Sequence, residues 1–275
     1  MSMPQHEPIV SVIMGVRYRR EDLNLLERSV NSILEQTVGN FEFLICEWDS
    51  TNAAKAWLAE LVQRERRVRI LPGKPPGDLA QNLNICLSEA KGKYIARMDD
   101  DDFSHPYRFA KQLAYLDSHP EIAFVGSNVT LCCGGEPVGS RRLPEFPIVR
   151  DFYMTQPFIH PALMFRREVM EMVKGYSGNR SCILCEDYDL LLRLYTKGVQ
   201  GANLQETLFD YTIPVRAKGN RTMVHRWNET VTRWYRFREL KVLPSALPYV
   251  VKPLVVGLMP EKMVKKLKKR REGSA

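Results

Sequence analysis

The chain has 275 residues, of which 44% are hydrophobic and 26% charged, a composition typical of a globular protein. This balance excludes wholesale disorder, a collagen-like repeat and a polytopic membrane protein. Residues 241–275 supply +7 of the net charge of +8, because nine Lys or Arg there face only Glu261 and Glu272. The basic charge therefore belongs to one end of the chain, and the high pI does not indicate a nucleic-acid-binding surface.

Apolar strands alternate with amphipathic helices in the first half of the chain. Short apolar, β-branched runs predict strands at residues 9–14, 41–46, 68–71 and 93–98. Apolar residues at helical spacing predict helices at residues 22–36, 53–66, 79–90 and about 106–116. This alternation predicts a mainly parallel sheet with helices on both faces. Ligands of such sheets bind beyond the carboxyl ends of the strands, which here are the residues after Met14, Cys46 and Met98.

Four consecutive aspartates, residues 99–102, follow the fourth predicted strand. Four carboxylates at a strand end repel one another unless a cation or hydrogen-bond donors neutralise them. Side chains alternate along a strand, so Asp99 and Asp101 are expected to point the same way, and oxygen ligands suit Mg²⁺ or Mn²⁺. The alternative is that Asp101, Asp102 and Ser104 cap the next helix, which accounts for one or two of the acids but not for four.

A second acidic cluster opens a helix later in the chain. Glu186, Asp187 and Asp189 are followed by the apolar residues 190–192, so the acids lie in the first turn of the predicted helix. A helix N-terminus favours an ionised carboxylate, which is the form that a general base needs. Capping of the helix is the alternative interpretation.

The six cysteines are interpreted as reduced thiols of a cytosolic protein, because residues 1–8 are polar and resemble no secretory leader. Cys182 and Cys185 form a lone C-x-x-C, which is half of a zinc site at best, and we expect them to be core residues.

The C-terminal segment has the composition of a membrane-surface element. Residues 243–259 are apolar but contain three prolines, so they are too short and too broken to span a bilayer as a helix and could lie on its surface. Residues 260–275 place seven Lys or Arg around Met263, Val264 and Leu267. An apolar patch beside a polybasic cluster is typical of a segment that binds an anionic membrane. A disordered, solubilising end is the alternative.

Several segments resemble, in the same order, those of family 2 glycosyltransferases with the GT-A fold. The matching segments are residues 10–16, 32–37, 41–45, 90–102, 160–166 and 186–190. The resemblance covers about residues 8–215. It implies a Rossmann-like, mainly parallel sheet with helices on both faces, followed by a helical basic and apolar tail. The implied activity is inverting transfer of a sugar from a nucleoside diphosphate to an acceptor hydroxyl in the cytosol.

The resemblance also implies roles for the two acidic clusters. Asp101 is the expected ligand of Mn²⁺ or Mg²⁺, and Asp99 and Asp100 are expected near the ribose and the metal, with Asp99 as a second ligand. A metal there stabilises the leaving diphosphate as a Lewis acid. Asp187 is the expected general base, and Glu186 is expected to orient Asp187 or to contact the acceptor.

Three further residues are candidates for binding the nucleotide sugar. Glu47 stands where the family has an acid that accepts the N3–H of uracil, which favours a UDP-sugar, although a solvated turn acid is the alternative. Residues 47–50 depart from the usual Asp-Asp-Gly-Ser pattern. Arg17 lies in the first loop, which carries nucleotide contacts in the family. His160 is expected at the sugar or acceptor end of the cleft, or else as a satisfied core histidine.

The expected organisation is a GT-A domain at residues 1–215 and a helical extension at residues 216–275 that associates with a membrane. Within the domain, about residues 8–104 form the nucleotide-sugar half and about residues 105–215 the acceptor half. A membrane-bound extension favours a glycan acceptor linked to lipid, at the inner face of the cell membrane, and no nucleic acid partner. The expected pathway is synthesis of a bacterial surface polysaccharide such as capsule, exopolysaccharide or O-antigen.

Two other functions are considered. A sugar-nucleotide pyrophosphorylase shares a related sheet but begins with a Gly-rich phosphate loop, which residues 15–20 lack. A non-catalytic protein that binds membrane or nucleic acid would not need the two acidic clusters, and its binding to nucleic acid would depend steeply on salt.

Overall fold

The structure is a computed structural model that describes residues 7–179, 182–213 and 222–259. The polybasic cluster expected at residues 260–275 lies outside the described residues.

The first half of the chain forms the predicted parallel sheet. Its strands are β1 (Val10–Val16), β2 (Phe41–Glu47), β3 (Val68–Pro72) and β4 (Tyr94–Met98). The helices between them are α1 (Asn24–Leu34), α2 (Asn52–Arg64) and α3 (Leu79–Glu89). The spatial order is β3-β2-β1-β4, with all three pairings parallel. The four predicted strands and the three predicted helices between them are confirmed.

The second half of the chain extends this sheet with mixed pairings. It contains β5 (Phe103–Ser104), α4 (Arg108–Ser118), β6 (Ile122–Cys133), β7 (Glu136–Arg141), β8 (Met164–Arg166), α5 (Arg167–Met172), α6 (Glu186–Thr196), β9 (Gln200–Thr212), α7 (Met223–Glu239) and α8 (Leu243–Leu258). The full order is β3-β2-β1-β4-β8-β6-β9-β5, and β7 pairs with β6. β8 is antiparallel to both β4 and β6, whereas β6 and β9 are parallel. The sheet is therefore parallel in the first half and mixed in the second.

The strand register brings the candidate loops to one edge of the sheet. Val16 pairs with Glu47, Glu47 pairs with Pro72, and Met14 pairs with Met98. Because the carboxyl ends of β1 to β4 align, the loops that follow them meet at this edge. Arg17, Glu47 and the four aspartates lie in or next to these loops.

Helices cover both faces of the sheet, as the alternation of side chains along each strand requires. Val10, Val12 and Met14 face one core, which also contains buried residues of α1, α2 and α4. Ile13 and Ile95 face the other core, which contains buried residues of α3, α5, α6, α7 and α8. Cys182 and Cys185 are buried just before α6, in line with the expected packing role.

The C-terminal helices are packed on the domain. Asp189 of α6 is 1% exposed and accepts hydrogen bonds of 2.8 Å from both Arg193 and Arg236, which joins α6 to α7. α8 buries Ala246, Val250 and Pro253 and is helical despite its internal prolines. The segment that the sequence indicated to be broken is therefore a continuous helix. Within the described residues, no helix combines the length and the apolar character that crossing a bilayer would require.

We expect Asp189→Ala to lower the free energy of unfolding by about 3 kcal/mol, because it leaves two largely buried arginines without their shared counter-charge. Urea denaturation followed by circular dichroism measures this change. The control is Glu171→Ala, which removes an exposed partner of Arg167 and should cost about 0.5 kcal/mol or less. Equal losses in the two variants would contradict the bridging role of Asp189.

Candidate active site

The four aspartates form a turn after β4. The strand ends at Met98, Asp100 and Asp101 form a turn, and the two-residue strand β5 follows. The strand-like alternation expected for Asp99 and Asp101 therefore does not apply, because the backbone is no longer extended. This acidic turn, residues 99–102, gives each carboxylate different surroundings.

The capping interpretation of these acids is wrong. Helix α4 begins at Arg108, two residues later than expected, and its N-cap Tyr107 has no side-chain cap. Asp102 is instead buried, and its Oδ1 accepts a 2.7 Å hydrogen bond from the backbone N–H of Thr212 in β9. Its Oδ2 is buried without a hydrogen-bond partner among the described residues. Asp102 thus ties the acidic turn to β9, and one of its oxygens is left unsatisfied.

The acidic turn carries more negative charge than its neighbours neutralise. Burial, and then the charges of neighbouring aspartates, raise the pKa of Asp100 to about 7 and that of Asp101 to about 6. The same causes raise the pKa of Asp102 well above its ordinary value. Arg97 pairs with Asp99, and Arg20 lies 3.8 Å from Asp101, so among the described residues the two arginines pair directly with only two of the four aspartates.

The acidic turn fits a divalent cation that is shared with a phosphate ligand. Among the residues that the structure describes, no three His, Cys, Asp or Glu side chains converge as a closed metal cage. Mg²⁺ in particular is commonly held by one or two carboxylates, with substrate phosphates and waters in the other positions. The side chains of Asp99 and Asp101 are 31% and 32% exposed, which leaves them accessible to such a complex.

The second acidic cluster lies at the first turn of α6. Cys185 is the N-cap and makes no side-chain cap, and Oδ1 of Asp187 accepts a 2.7 Å hydrogen bond from the N–H of Tyr188. Burial, and then the charge of Asp187, raise the pKa of Glu186 to about 7, although Arg97 acts in the opposite direction. Glu186 and Asp187 are both partly exposed.

Two tyrosines, the buried Tyr176 and the partly buried Tyr211, lie close enough to both acidic clusters for their pKa values to be affected by each. The pKa of Tyr211 is raised by burial and then by the charges of Asp99, Asp102, Asp187 and Asp101. The pKa of Tyr176 is raised by burial, lowered in part by Arg97, and raised again by Asp99, Glu186 and Asp187. Since the same side chains feel both clusters, the acidic turn and the start of α6 face a common region.

His160 is buried beside this region, and its observed partner is a protein group. Its Nε2 lies 2.8 Å from the hydroxyl of Tyr176, and the two rings are edge to face. Burial, and then the charge of Arg97, lower the pKa of His160 well below its usual value, so the imidazole is neutral. His160 thus has the environment of a satisfied core histidine close to the expected sugar end of the cleft.

Arg97 is a residue of this site that the sequence analysis missed. It is fully buried in β4, and a side-chain N–H of its Nη2 donates to the carboxylate of Asp99. An arginine within the apolar run 94–98 was the available signal, because a charged residue inside a buried strand needs a specific partner.

The loops after β1 and β2 hold each other in place at the expected nucleotide side. The N–H of Ser50 donates to Oε1 of Glu47 at 3.0 Å, and Arg17 Nη2 lies 3.1 Å from Oδ2 of Asp49. Desolvation raises the pKa of Asp49, but the hydrogen bonds and charges of Arg17 and Arg19 more than offset this and lower it. Glu47 and Arg17 therefore occupy neighbouring loops, and each has a partner within the protein.

Trp48, which follows β2, packs closely against the backbone at Gly15 and Gly73. It is buried, and its Nε1 has no hydrogen-bond partner among the described residues. A Cβ at Gly15 would lie 3.2 Å from the indole ring, and a Cβ at Gly73 would lie 2.7 Å from Cβ of Trp48. Residues 47–50 depart from the usual family pattern, and Trp48 is one of them. Its side chain lies where the backbones of β1 and of the loop after β3 come close to it.

Comparison with known proteins identifies the class. The family model described as Glycosyl transferase family 2 matches residues 11–173, which is more than half of the chain. The chain therefore belongs to glycosyl transferase family 2, as the sequence resemblance indicated.

The individual relatives agree with this assignment. The chain is 34% identical over 268 residues to the putative glycosyltransferase EpsE of Bacillus subtilis (strain 168), covering 96% of this chain and 94% of that protein. It is 33% identical over 212 residues to the O-antigen biosynthesis glycosyltransferase WbnJ of Escherichia coli, covering 74% and 80%. Among solved structures, S. aureus TarS 1–349 in complex with UDP-GlcNAc superposes with a TM-score of 0.67 at 15% identity, covering 88% and 72%. These likenesses confirm the GT-A fold class.

Proposed function

We propose that the chain is an inverting glycosyltransferase that moves a hexosyl or hexosaminyl group from a nucleoside-diphosphate sugar, preferably a UDP-sugar, to an acceptor hydroxyl. The observation that carries this proposal is the juxtaposition of two acidic clusters at the carboxyl edge of the sheet. One cluster suits the diphosphate of the donor with a divalent cation, and the other suits the acceptor hydroxyl. Family membership supports the transferase activity, and the geometry supports the division of roles.

On the donor side, Asp101 and Asp99 are the proposed ligands of Mn²⁺ or Mg²⁺, and Asp99 and Asp100 lie near the ribose. When bound, the cation supplies Lewis-acid stabilisation of the diphosphate that leaves the sugar. The raised pKa values of Asp100 and Asp101 support this assignment, since excess negative charge favours the binding of a cation. Glu47 accepts the N3–H of uracil through the carboxylate oxygen that does not bind Ser50, and Arg17 lies near the nucleotide.

On the acceptor side, Asp187 is the proposed general base, and Glu186 orients it or contacts the acceptor. Inversion needs a base that takes the hydroxyl proton on the face opposite the leaving diphosphate. The hydrogen bond from the N–H of Tyr188 fixes one oxygen of Asp187 at the start of α6, which supports a defined position for the proposed base. His160 lies at the sugar end of the cleft, where its neutral ring keeps the hydroxyl of Tyr176 in place.

We further infer that the acceptor is a glycan, linked to lipid, in the synthesis of a bacterial surface polysaccharide such as capsule, exopolysaccharide or O-antigen. The name of the relative WbnJ, an O-antigen biosynthesis glycosyltransferase, supports this pathway. The proposed location is the cytoplasmic face of the cell membrane, and the proposed partners include no nucleic acid. In this proposal the catalytic domain comprises residues 1–215 and the membrane-associated extension residues 216–275.

An exposed apolar stripe on α8 supports the proposed membrane contact. Leu247, Val251, Val255 and Leu258 follow each other at helical spacing and are 46%, 44%, 46% and 78% exposed. Near the end of α8, Arg226 of α7 packs against Gly257, and the indole of Trp227 next to it is 59% exposed. Residues 260–275, which continue from this end, carry seven Lys or Arg against two Glu. An apolar stripe that leads into basic residues fits an anionic lipid surface better than a second, equally basic copy of this chain.

We expect a UDP-sugar together with Mn²⁺ or Mg²⁺ to raise the melting temperature by about 5 °C at saturating concentrations, since ligand binding stabilises the folded state. A panel of UDP-glucose, UDP-galactose, UDP-GlcNAc and GDP-mannose, each with and without metal, measures the effect by differential scanning fluorimetry. Asp101→Ala should abolish the shift, and Glu60→Ala on the exposed face of α2 should keep it. A shift that needs no metal, or that persists in Asp101→Ala, would contradict the donor site. Salt-sensitive binding of nucleic acid without any sugar-nucleotide effect would instead favour the non-catalytic protein.

We expect Asp187→Asn to bind the donor with an affinity within about twofold of that of the wild type. Its rate of UDP release should fall by about 100-fold or more, because an amide does not accept the proton. UDP released by slow hydrolysis, with water in place of the acceptor, gives the rate without knowledge of the natural acceptor. ¹H NMR of the freed sugar should show inversion at the anomeric carbon. Near-normal turnover in Asp187→Asn would exclude it as the base, and retained configuration would exclude the inverting mechanism.

We expect the full chain to co-sediment with vesicles that contain about one third phosphatidylglycerol and to bind pure phosphatidylcholine vesicles at least about tenfold more weakly. Val251→Glu combined with Val255→Glu should release the protein from the anionic vesicles, because charged residues replace the apolar stripe. Val138→Glu is the matched control, since Val138 is 57% exposed on β7. Equal binding by all variants, or a dimer that these substitutions dissociate in the absence of lipid, would overturn the membrane assignment.

A further inference from the structure

Helix α7 connects α8, on which the proposed membrane surface lies, to the start of α6. It packs against both of these helices. Near its N-terminus, Nη1 of Arg226 donates a 3.1 Å hydrogen bond to the backbone carbonyl oxygen of Pro253 in α8. Two residues later, Nδ2 of Asn228 donates a 3.3 Å hydrogen bond to the carbonyl oxygen of Ile183, just before α6. The same end of α7 therefore contacts both α8 and the segment that leads into α6.

The proposed general base lies beside this contact. Oγ1 of Thr232 lies 3.5 Å from Sγ of Cys185, which is the N-cap of α6 and precedes Asp187 by two residues. One turn further along α7, Arg236 donates to the buried carboxylate of Asp189 at 2.8 Å. Because side-chain contacts rather than a loop hold α6 against α7, the position of Asp187 relative to α8 is fixed.

These contacts limit the height of Asp187 above a bilayer that binds the α8 stripe, which we define as Leu247, Val251, Val255 and Leu258. The axes of packed helices lie about 8–10 Å apart, and side chains extend about 5–6 Å from a helix axis. The path from the α8 stripe through α7 to α6 is therefore about 25 Å long. A compact chain of 275 residues is about 50 Å across, so a site on the far side of the domain would lie about twice as high.

Apolar side chains continue from the α8 stripe towards α6. Trp227 precedes Asn228, Leu184 follows Ile183, and both of these apolar side chains are 59% exposed. Tryptophan is enriched at the boundary between lipid and water, because its ring is apolar and its N–H is polar. The surface between the bilayer and the first turn of α6 thus suits the part of an acceptor that adjoins its lipid.

We propose that the acceptor is a short glycan linked to lipid, so that the chain acts early in the assembly of the polysaccharide, on a lipid that carries one or a few sugars. This inference rests on the proposed function and deepens it, because it specifies the length of the acceptor. The link between the lipid and the accepting hydroxyl acts as a tether. The effective concentration of the hydroxyl at the site is highest when the tether matches the span, and it falls as the tether becomes longer. A span of about 25 Å therefore favours a diphosphate with a short glycan over a growing polymer.

The proposal also places the reaction between two others. In the transfer, the acceptor oxygen forms a bond to the anomeric carbon of the donor, the bond from that carbon to UDP breaks, and Asp187 takes the hydroxyl proton. The reaction that supplies the acceptor must load a sugar or a sugar phosphate onto a carrier lipid. The reactions that consume the product must extend a glycan whose free end already lies further from the bilayer.

The first test measures the height of the site without any substrate. An azidophenylalanine placed at Leu184 and labelled with fluorescein reports the start of α6, and the matched label is placed at Val62, which is 36% exposed on α2. α2 covers the opposite face of the sheet from α8. The full chain is mixed with vesicles that contain about one third phosphatidylglycerol and a rhodamine-labelled lipid. We expect the efficiency of energy transfer from position 184 to be at least about twofold that from position 62.

Co-sedimentation verifies that both labelled proteins bind the vesicles. Equal transfer from the two positions of bound protein, or stronger transfer from position 62, would overturn the proposal. If the chain binds no vesicles, the membrane contact fails and the short acceptor fails with it. A label at Trp227 replaces the one at Leu184 if that protein does not fold, because Asn228, the next residue of α7, contacts the same segment.

The second test measures UDP release with acceptors of defined length. The probes are polyprenyl diphosphates that carry a single glucose, galactose, GlcNAc or GalNAc, each in the anionic vesicles. We expect at least one of them to raise UDP release about tenfold or more above slow hydrolysis, whereas the methyl glycoside of the same sugar should act much more weakly. A poly(ethylene glycol) spacer that makes the tether about five times longer should lower the rate about tenfold.

Equal rates with and without the spacer, equal rates with the methyl glycoside, or no stimulation by any of the lipid-linked sugars would each show that the assignment of the acceptor is wrong. If the protein releases no UDP even by hydrolysis, the proposed function fails and the acceptor assignment fails with it. The energy-transfer measurement still reports the height of α6 above the bilayer in that case, so the two failures are distinguishable.

Discussion

The site depends on one electrostatic constraint, which is that the fold gathers more carboxylates at the carboxyl edge of the sheet than its own cations neutralise. The parallel strands β1 to β4 end together, the acidic turn follows β4, and α6 begins with two more acids nearby. Arg97 and Arg20 pair with Asp99 and Asp101, yet the pKa values of Asp100, Asp101 and Asp102 are all raised. In the proposed function, the divalent cation that accompanies the donor diphosphate supplies the positive charge that this edge of the sheet lacks.

Local patterns in the sequence predicted the first half of the fold well. They did not predict the second half, because it depends on strands that pair with residues far away in the sequence. Apolar periodicity located β1 to β4 and their helices to within a few residues, because each of these elements carries its own signal. β8 has only three residues, Met164–Arg166, yet it joins β4 to β6 and makes the sheet mixed. No periodicity exists in so short a strand. In α8, the prolines suggested a broken segment, but packing of Ala246 and Val250 against the domain outweighs their cost.

The same distinction applies to the candidate site. The acidic clusters were predictable because carboxylates that are adjacent in sequence repel one another in any fold, and this repulsion needs a compensating partner. Their individual surroundings were not, since these depend on residues about a hundred positions away. The backbone N–H of Thr212 donates to Asp102, in place of the helix cap that was the alternative interpretation, and the pKa of Tyr211 is affected by both clusters. Arg97 was visible in the sequence, but only its burial and its pairing with Asp99 distinguish it from an ordinary surface arginine.

The raised pKa values also make the stability of the folded chain depend on pH. The pKa values of Asp100 and Glu186 are about 7 in the folded chain, above their ordinary values of 3.8 and 4.5. The folded state therefore retains protons that the unfolded state has released, and the difference in proton binding extends from about pH 4 to pH 7. Stability falls as the pH rises through this window, because ionisation then disfavours the fold. A ligand that binds only the ionised carboxylates reverses this loss, since binding to the folded state alone stabilises it. The excess negative charge of the free protein at neutral pH thus favours a ligand that brings positive charge, as the proposed divalent cation would, over an uncharged sugar alone.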